Sequence, residues 1–141
     1  MPTNLPSNLS YGTVVGRFLL AYADGIDEDL NPDGAAAKGS IFLIPSIIIL
    51  KDATATPSPV TIIPTSIECA LDAEGYLLSP AGQQGVRLLA TNDVDGNPTG
   101  WTWTARYQLT DQSDTPIRGI PDQVISVPAG QTIDLSVVGN G

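Results

Sequence analysis

A chain of 141 residues is long enough for one domain that buries roughly two-thirds of the surface its unfolded form exposes, so a sizeable core is attainable. With 15 acidic residues against 6 basic ones it carries a formal charge of -9, which repels phosphate backbones and anionic lipid surfaces and argues against nucleic acid as a partner. There is no histidine and only 1 cysteine, so the usual general base, the commonest metal ligand and an internal disulfide are all missing.

The opening Met1-Pro2-Thr3-Asn4-Leu5-Pro6 has neither the basic start nor the apolar run of a secretory signal. Residues 1–11 read as an irregular N-terminal arm and a candidate docking strand, and residues 12–141 as a single β-sandwich domain. Residues 13–22 read as a first strand with both faces partly apolar, followed by an acidic loop over 24–34. Residues 40–44 form an apolar strand that Pro45 ends, and 47–50 form a second short apolar run. This stretch is the longest apolar run, and it is too short and too broken to span a bilayer, so no membrane insertion is expected.

Residues 51–59, rich in Thr, Ala and Pro, read as a surface loop. Strands are expected over 60–63 and 66–71, with Asp72-Ala73-Glu74-Gly75 closing a tight hairpin into Tyr76-Leu77-Leu78. A strand over 86–91 points Val86, Leu88 and Ala90 inward. The clearest alternation follows: Trp101, Trp103, Ala105, Tyr107 and Leu109 fall on one face, with Thr102, Thr104, Arg106, Gln108 and Thr110 on the other. Residues 122–127 and 132–137 read as a last hairpin around Pro128-Ala129-Gly130. No segment keeps a helical period, and 12 prolines with 14 glycines would break one. The expectation is an all-β fold, an antiparallel β-sandwich of immunoglobulin-like or jelly-roll-like kind with little or no helix.

Catalytic chemistry finds little support. Without histidine no Ser-His-Asp or Cys-His site can be built, and the lysines that a Ser-Lys pair would need, Lys38 and Lys51, stand in ordinary polar surroundings. A glycosidase pair could come from Asp72 and Glu74 or from the stretch Asp24 to Asp33, but these carboxylates are concentrated in turns and so small a domain lacks the large cleft such sites occupy. Cys69, in step with Ile67 and Leu71, reads as a small buried residue. The chain is not expected to be an enzyme, nor to carry a cofactor beyond a candidate calcium ion.

That candidate comes from a turn that occurs twice, Asp29-Leu30-Asn31-Pro32-Asp33-Gly34 and Asp95-Gly96-Asn97-Pro98-Thr99-Gly100. Proline presets the first corner, asparagine bonds the backbone ahead, and glycine leaves at a free angle, so each copy launches a strand. Asp29, Asn31 and Asp33 also place oxygens at alternate positions with glycine next, as in the first half of a calcium loop, but Ser40 stands where the bidentate glutamate should be. Asp93, Asp95 and Asn97 repeat the alternation with Pro98 in place of the glycine. A solvated acidic turn is the simpler account of both. Trp101 and Trp103 share a face and could stack on a sugar ring, with Tyr76 and Tyr107 as further candidates. Their phase with Ala105 and Leu109 favours a place in the core.

The stretch Val86-Arg87-Leu88-Leu89-Ala90-Thr91-Asn92-Asp93-Val94-Asp95-Gly96-Asn97-Pro98-Thr99-Gly100-Trp101-Thr102-Trp103 resembles a signature of minor tail and tail-fibre proteins of phages infecting actinobacteria. Gly16-Arg17-Phe18, Gly39-Ser40-Ile41-Phe42 and Leu71-Asp72-Ala73-Glu74-Gly75-Tyr76-Leu77 look like the same family's opening strands and middle hairpin, in the same order. The resemblance implies a β-rich virion module of the tail, made in the host cytoplasm, that assembles with itself, as a trimer by analogy with fibres, and with other phage structural proteins. With no stalk or receptor-binding tip expected beyond Gly141, a structural role in the tail tip is expected ahead of direct host adsorption. A host-surface carbohydrate-binding module and a capsid decoration protein are the alternatives.

Overall fold

The computed structural model describes residues 5–22, 33–56, 58–111 and 113–137. Among these the chain is all-β. Its strands are β1 (Tyr11–Val15), β2 (Leu19–Tyr22), β3 (Asp33–Ala36), β4 (Lys38–Pro45), β5 (Leu50–Asp52), β6 (Val60–Ile62), β7 (Ile67–Leu71), β8 (Leu77–Leu78), β9 (Val86–Leu89), β10 (Trp103–Thr110), β11 (Gln123–Ile125) and β12 (Thr132–Asp134). A three-stranded sheet runs β12-β1-β9 and a five-stranded sheet β11-β10-β4-β7-β8, with two small ribbons, β2-β3 and β5-β6.

The two larger sheets enclose one core. Val14, Val86 and Leu88 come from the smaller sheet, and Ile41, Leu43, Cys69, Leu77, Trp103, Ala105, Leu109 and Ile125 from the larger. Period-2 alternation is the cause: along β10 the residues Trp103, Ala105 and Leu109 are buried, while Arg106 and Gln108 are exposed. Along the β4–β10 ladder two inward pairs set large against small, Leu43 opposite Ala105 and Leu109 opposite Gly39.

The sheets are also tied along their edges. Leu77 donates its N–H to the Gly16 carbonyl at 2.9 Å, and Gly85 donates to the Leu77 carbonyl at 2.8 Å, so short β8 joins the five-stranded sheet to both β1 and the start of β9. At another corner Val127 N–H donates to Thr91 Oγ1 at 3.0 Å, and Thr91 N–H donates to the Val127 carbonyl at 2.8 Å.

Four expectations change. The first strand breaks at Gly16-Arg17-Phe18, because Arg17 bridges to Tyr76 and Phe18 N–H donates to Gly75, turning the chain from β1 toward the β7–β8 hairpin before β2 begins. The end of the acidic loop is strand, since Asp33 to Ala36 pair with Leu19 to Tyr22. The start of the supposed 51–59 loop is strand too, with Lys51 opposite Thr61 and Asp52 opposite Val60. The last hairpin does not form. β11 pairs with β10, and β12 crosses to the other sheet and lies parallel to β1, the one parallel ladder among the described strands. Leu9 is buried with Leu50 and Ile62 in a second small core, and the Ser10 carbonyl accepts from Ala90 N–H at 3.0 Å.

Candidate functional site

Trp101 and Trp103, weighed as core residues ahead of a sugar platform, lie inside. Trp101 is 5% exposed and Trp103 2%, with ring centroids 5.4 Å apart and planes tilted by 50°. Trp103 Nε1 donates to the Leu89 carbonyl at 3.1 Å, so the indole of β10 is fastened to β9 of the opposite sheet. Neither ring has a face open to stack on a sugar. Tyr107 donates its hydroxyl to Gln123 Oε1 at 2.6 Å, and burial pushes its pKa up to about 12. Tyr76 is half-buried, with the Arg17 guanidinium 4.9 Å above its ring.

The other reactive types are taken up by structure. Cys69 is buried in the main core, and burial, then the charge of neighbouring Glu68, push its thiol up to about 11, away from the thiolate a nucleophile needs. Asp72 caps the β7–β8 turn, its Oδ1 accepting from Glu74 N–H and Tyr76 N–H, both at 2.9 Å. Desolvation pushes this carboxyl up, but the N–H groups of Tyr76, Glu74 and Gly75 and the Gln84 amide outweigh it and hold the pKa below the ordinary value. Lys38 pairs with Asp114 at 3.0 Å, both largely exposed.

Of the first calcium turn, Asp29 and Asn31 lie outside the described residues, as does the side chain of Asp33, which opens β3. The second turn is more informative. Asp93 Oδ1 accepts from Asp95 N–H at 3.0 Å and its Oδ2 accepts from Ser10 N–H, so both its oxygens hold backbone. The turn, with its cis Asn97–Pro98 peptide, lies along β5, since Lys51 and Asn97 exchange backbone hydrogen bonds of 2.9 Å.

This arrangement brings in a residue that sequence reading passed over. Asp52 alternates with Leu50 on the buried face of β5 and is fully buried. Its Oδ1 accepts from Asn8 Nδ2 at 3.0 Å, Thr54 N–H at 3.2 Å and Thr54 Oγ1 at 3.2 Å, while Oδ2 has no partner. Thr54 Oγ1 also lies 3.3 Å from Asp95 Oδ1. The available signal was the phase: Leu50-Lys51-Asp52 continues the alternation of its apolar run, but an aspartate before Thr and Pro reads as loop. Among the described residues, no three His, Cys, Asp or Glu side chains gather closely enough to hold a metal by themselves.

Apolar surface is concentrated near the same ribbon. Leu50 is buried, but Ile48 is 80% exposed, Ile49 45% and Ile63 64%. Because Leu50 faces Ile62 in register, Ile49 and Ile63 continue from the same end of the ribbon, beside a groove of about 270 Å³ whose lining includes Leu5, Ile63 and Leu89 but also Tyr11, Arg87 and the buried Trp103. Comparison with protein-family models, with curated proteins and with solved structures finds no match to this chain.

Proposed function

We propose that the chain is a structural, non-enzymatic protein of a tailed-phage virion, a minor tail or tail-tip module that assembles with copies of itself and with other tail proteins. The observation that carries this reading is the exposed Ile48, Ile49 and Ile63 at the end of the β5–β6 ribbon, apolar surface whose burial in a contact between chains is favourable at about 25 cal/mol per Å². The resemblance over residues 86–103 points that assembly surface toward a virion, and the burial of the tryptophans and the cysteine supports a structural role over a sugar-binding or catalytic one. A trimer is the expected state.

Two measurements test it. Particles of the encoding phage, purified on a density gradient, should contain the chain by mass spectrometry, and labelling should place it on the tail; recovery only in the soluble lysate refutes a virion role. In solution at micromolar concentration the mass should be three times 14.7 kDa and fall to one chain in Ile48→Asp/Ile63→Asp. A wild-type mass of one chain refutes self-assembly.

A further inference from the structure

Asp52 presents a problem of charge. A carboxylate removed from water is retained when it is paired with a cation, ligates a metal or is fully hydrogen-bonded, and leaving one of its oxygens bare is strongly unfavourable. Three donors crowd Oδ1, and Oδ2, equally buried, has none. Among the described residues the ion pairs are Lys38–Asp114 and Arg106–Asp122, so neither Asp52 nor Asp95 has a basic side chain within pairing distance. The Thr54 hydroxyl stands between the two carboxylates, 3.2 Å from one and 3.3 Å from the other, and it has one proton to offer both.

We propose that Asp52 and Asp95, with the Thr54 hydroxyl between them, form a binding site for a hard divalent cation, calcium by its ligand chemistry. Asp52 Oδ2 supplies a buried anionic ligand, half-buried Asp95 a second at the rim, the threonine a neutral oxygen, and water the rest of a shell of 6–8. Zinc is disfavoured, since the chain has no histidine and its cysteine lies in the main core. Magnesium demands a regular octahedron and gives up water reluctantly, which suits a lopsided set with one deeply buried oxygen poorly. Asp93 is outside the ligand set because both its oxygens are held by N–H groups; it shapes the turn that presents Asp95.

The location gives the ion a purpose. Asn8 of the arm, Asp52 and Thr54 of the β5 end and Asp95 of the second turn come from distant parts of the sequence and meet here. A cation between the carboxylates would convert their repulsion into a clamp holding the arm and the ribbon to the sandwich, and with the ribbon its exposed isoleucines.

The test is thermal unfolding of the full chain after EDTA treatment and desalting, repeated in millimolar calcium chloride, in magnesium chloride and in sodium chloride of equal ionic strength. Calcium should raise the midpoint by about 5 °C or more, with magnesium well behind and sodium without effect. Asp95→Asn, at a half-buried rim position, should fold and lose the shift; Asp52→Asn should also lose it; Asp29→Asn/Asp33→Asn should keep it. Titration calorimetry should give one calcium per chain. No shift in the wild-type chain overturns the site and leaves a water molecule as the partner of Oδ2. A shift that survives in Asp95→Asn, or disappears in Asp29→Asn/Asp33→Asn, places the ion elsewhere and overturns it equally.

Discussion

Trp103 joins the two sheets, and its replacement separates a packing role from a binding role. In Trp103→Phe the indole N–H is lost, and with it the 3.1 Å bond to the part-buried Leu89 carbonyl, a cost of about 1–2 kcal/mol. The smaller ring also leaves a void beside Trp101, which neighbours fill only in part, so the total should reach about 2–4 kcal/mol. Trp103→Ala should cost about 3–5 kcal/mol, a large share of the 5–15 kcal/mol expected for a domain of this size. Urea unfolding followed by circular dichroism reads this directly. At a slope of about 2 kcal/mol per molar, Trp103→Phe should move the midpoint down by about 1–2 M with the slope unchanged. A shift below about 0.3 M would refute the reasoning, since a ring 2% exposed that costs nothing to truncate cannot be holding the sheets together. Loss of glycan binding at unaltered stability would instead restore the sugar-platform role.

Two further outcomes follow from the backbone and the core. Gly39 has φ of +116°, and a Cβ there would lie 2.2 Å from the Gln108 carbonyl, so Gly39→Ala should destabilise by about 2–4 kcal/mol and raise amide exchange at the Lys38–Thr110 end of the β4–β10 ladder. Gly119→Ala, with φ of +85° but nothing within 4 Å, should cost only about 1 kcal/mol, and equal losses would show that contact is not the cause. The Cys69 thiol is raised from 9.0 to about 11, so the folded chain keeps a proton that the unfolded chain releases. Its contribution is therefore whole below pH 9 and is lost as the pH climbs toward 11, by about 2–3 kcal/mol at most. The gap in urea midpoint between wild type and Cys69→Ala should be constant from pH 6 to about 8 and change above about 9, and parallel curves would contradict the burial argument.

The regions read correctly from sequence are those where local chemistry and burial agree. In 103–110 every second residue is apolar and the strand has one wet face, so period alone set the orientation of all eight residues. The Asp72-Ala73-Glu74-Gly75 hairpin was visible because an aspartate that can accept N–H bonds precedes a glycine, and Gly75 does take φ of +88°. The misreadings share another cause. Turn chemistry around Pro128-Ala129-Gly130 announces a change of direction but not which sheet receives the chain, and a parallel partner 119 residues away, Thr132 against Thr13, leaves no local trace. Residues 51–59 looked polar and irregular because loop composition outweighs a three-residue strand whose inward member is an aspartate.

Composition and strand periodicity by themselves determined an all-β chain without histidine, because those properties depend on residue type and near-neighbour order. Which strands pair, that the Trp103 indole is fastened to the Leu89 carbonyl of the opposite sheet, and that Asp52 meets Asn8 and, through Thr54, Asp95 were decided only by the tertiary structure. These are long-range contacts, whose energies depend on what closes over a residue rather than on what precedes it. The buried, half-satisfied side chain of Asp52 is the clearest case: in the sequence it is one of 15 acidic residues, and in the fold it is a carboxyl group whose Oδ2 is sealed from water without a partner.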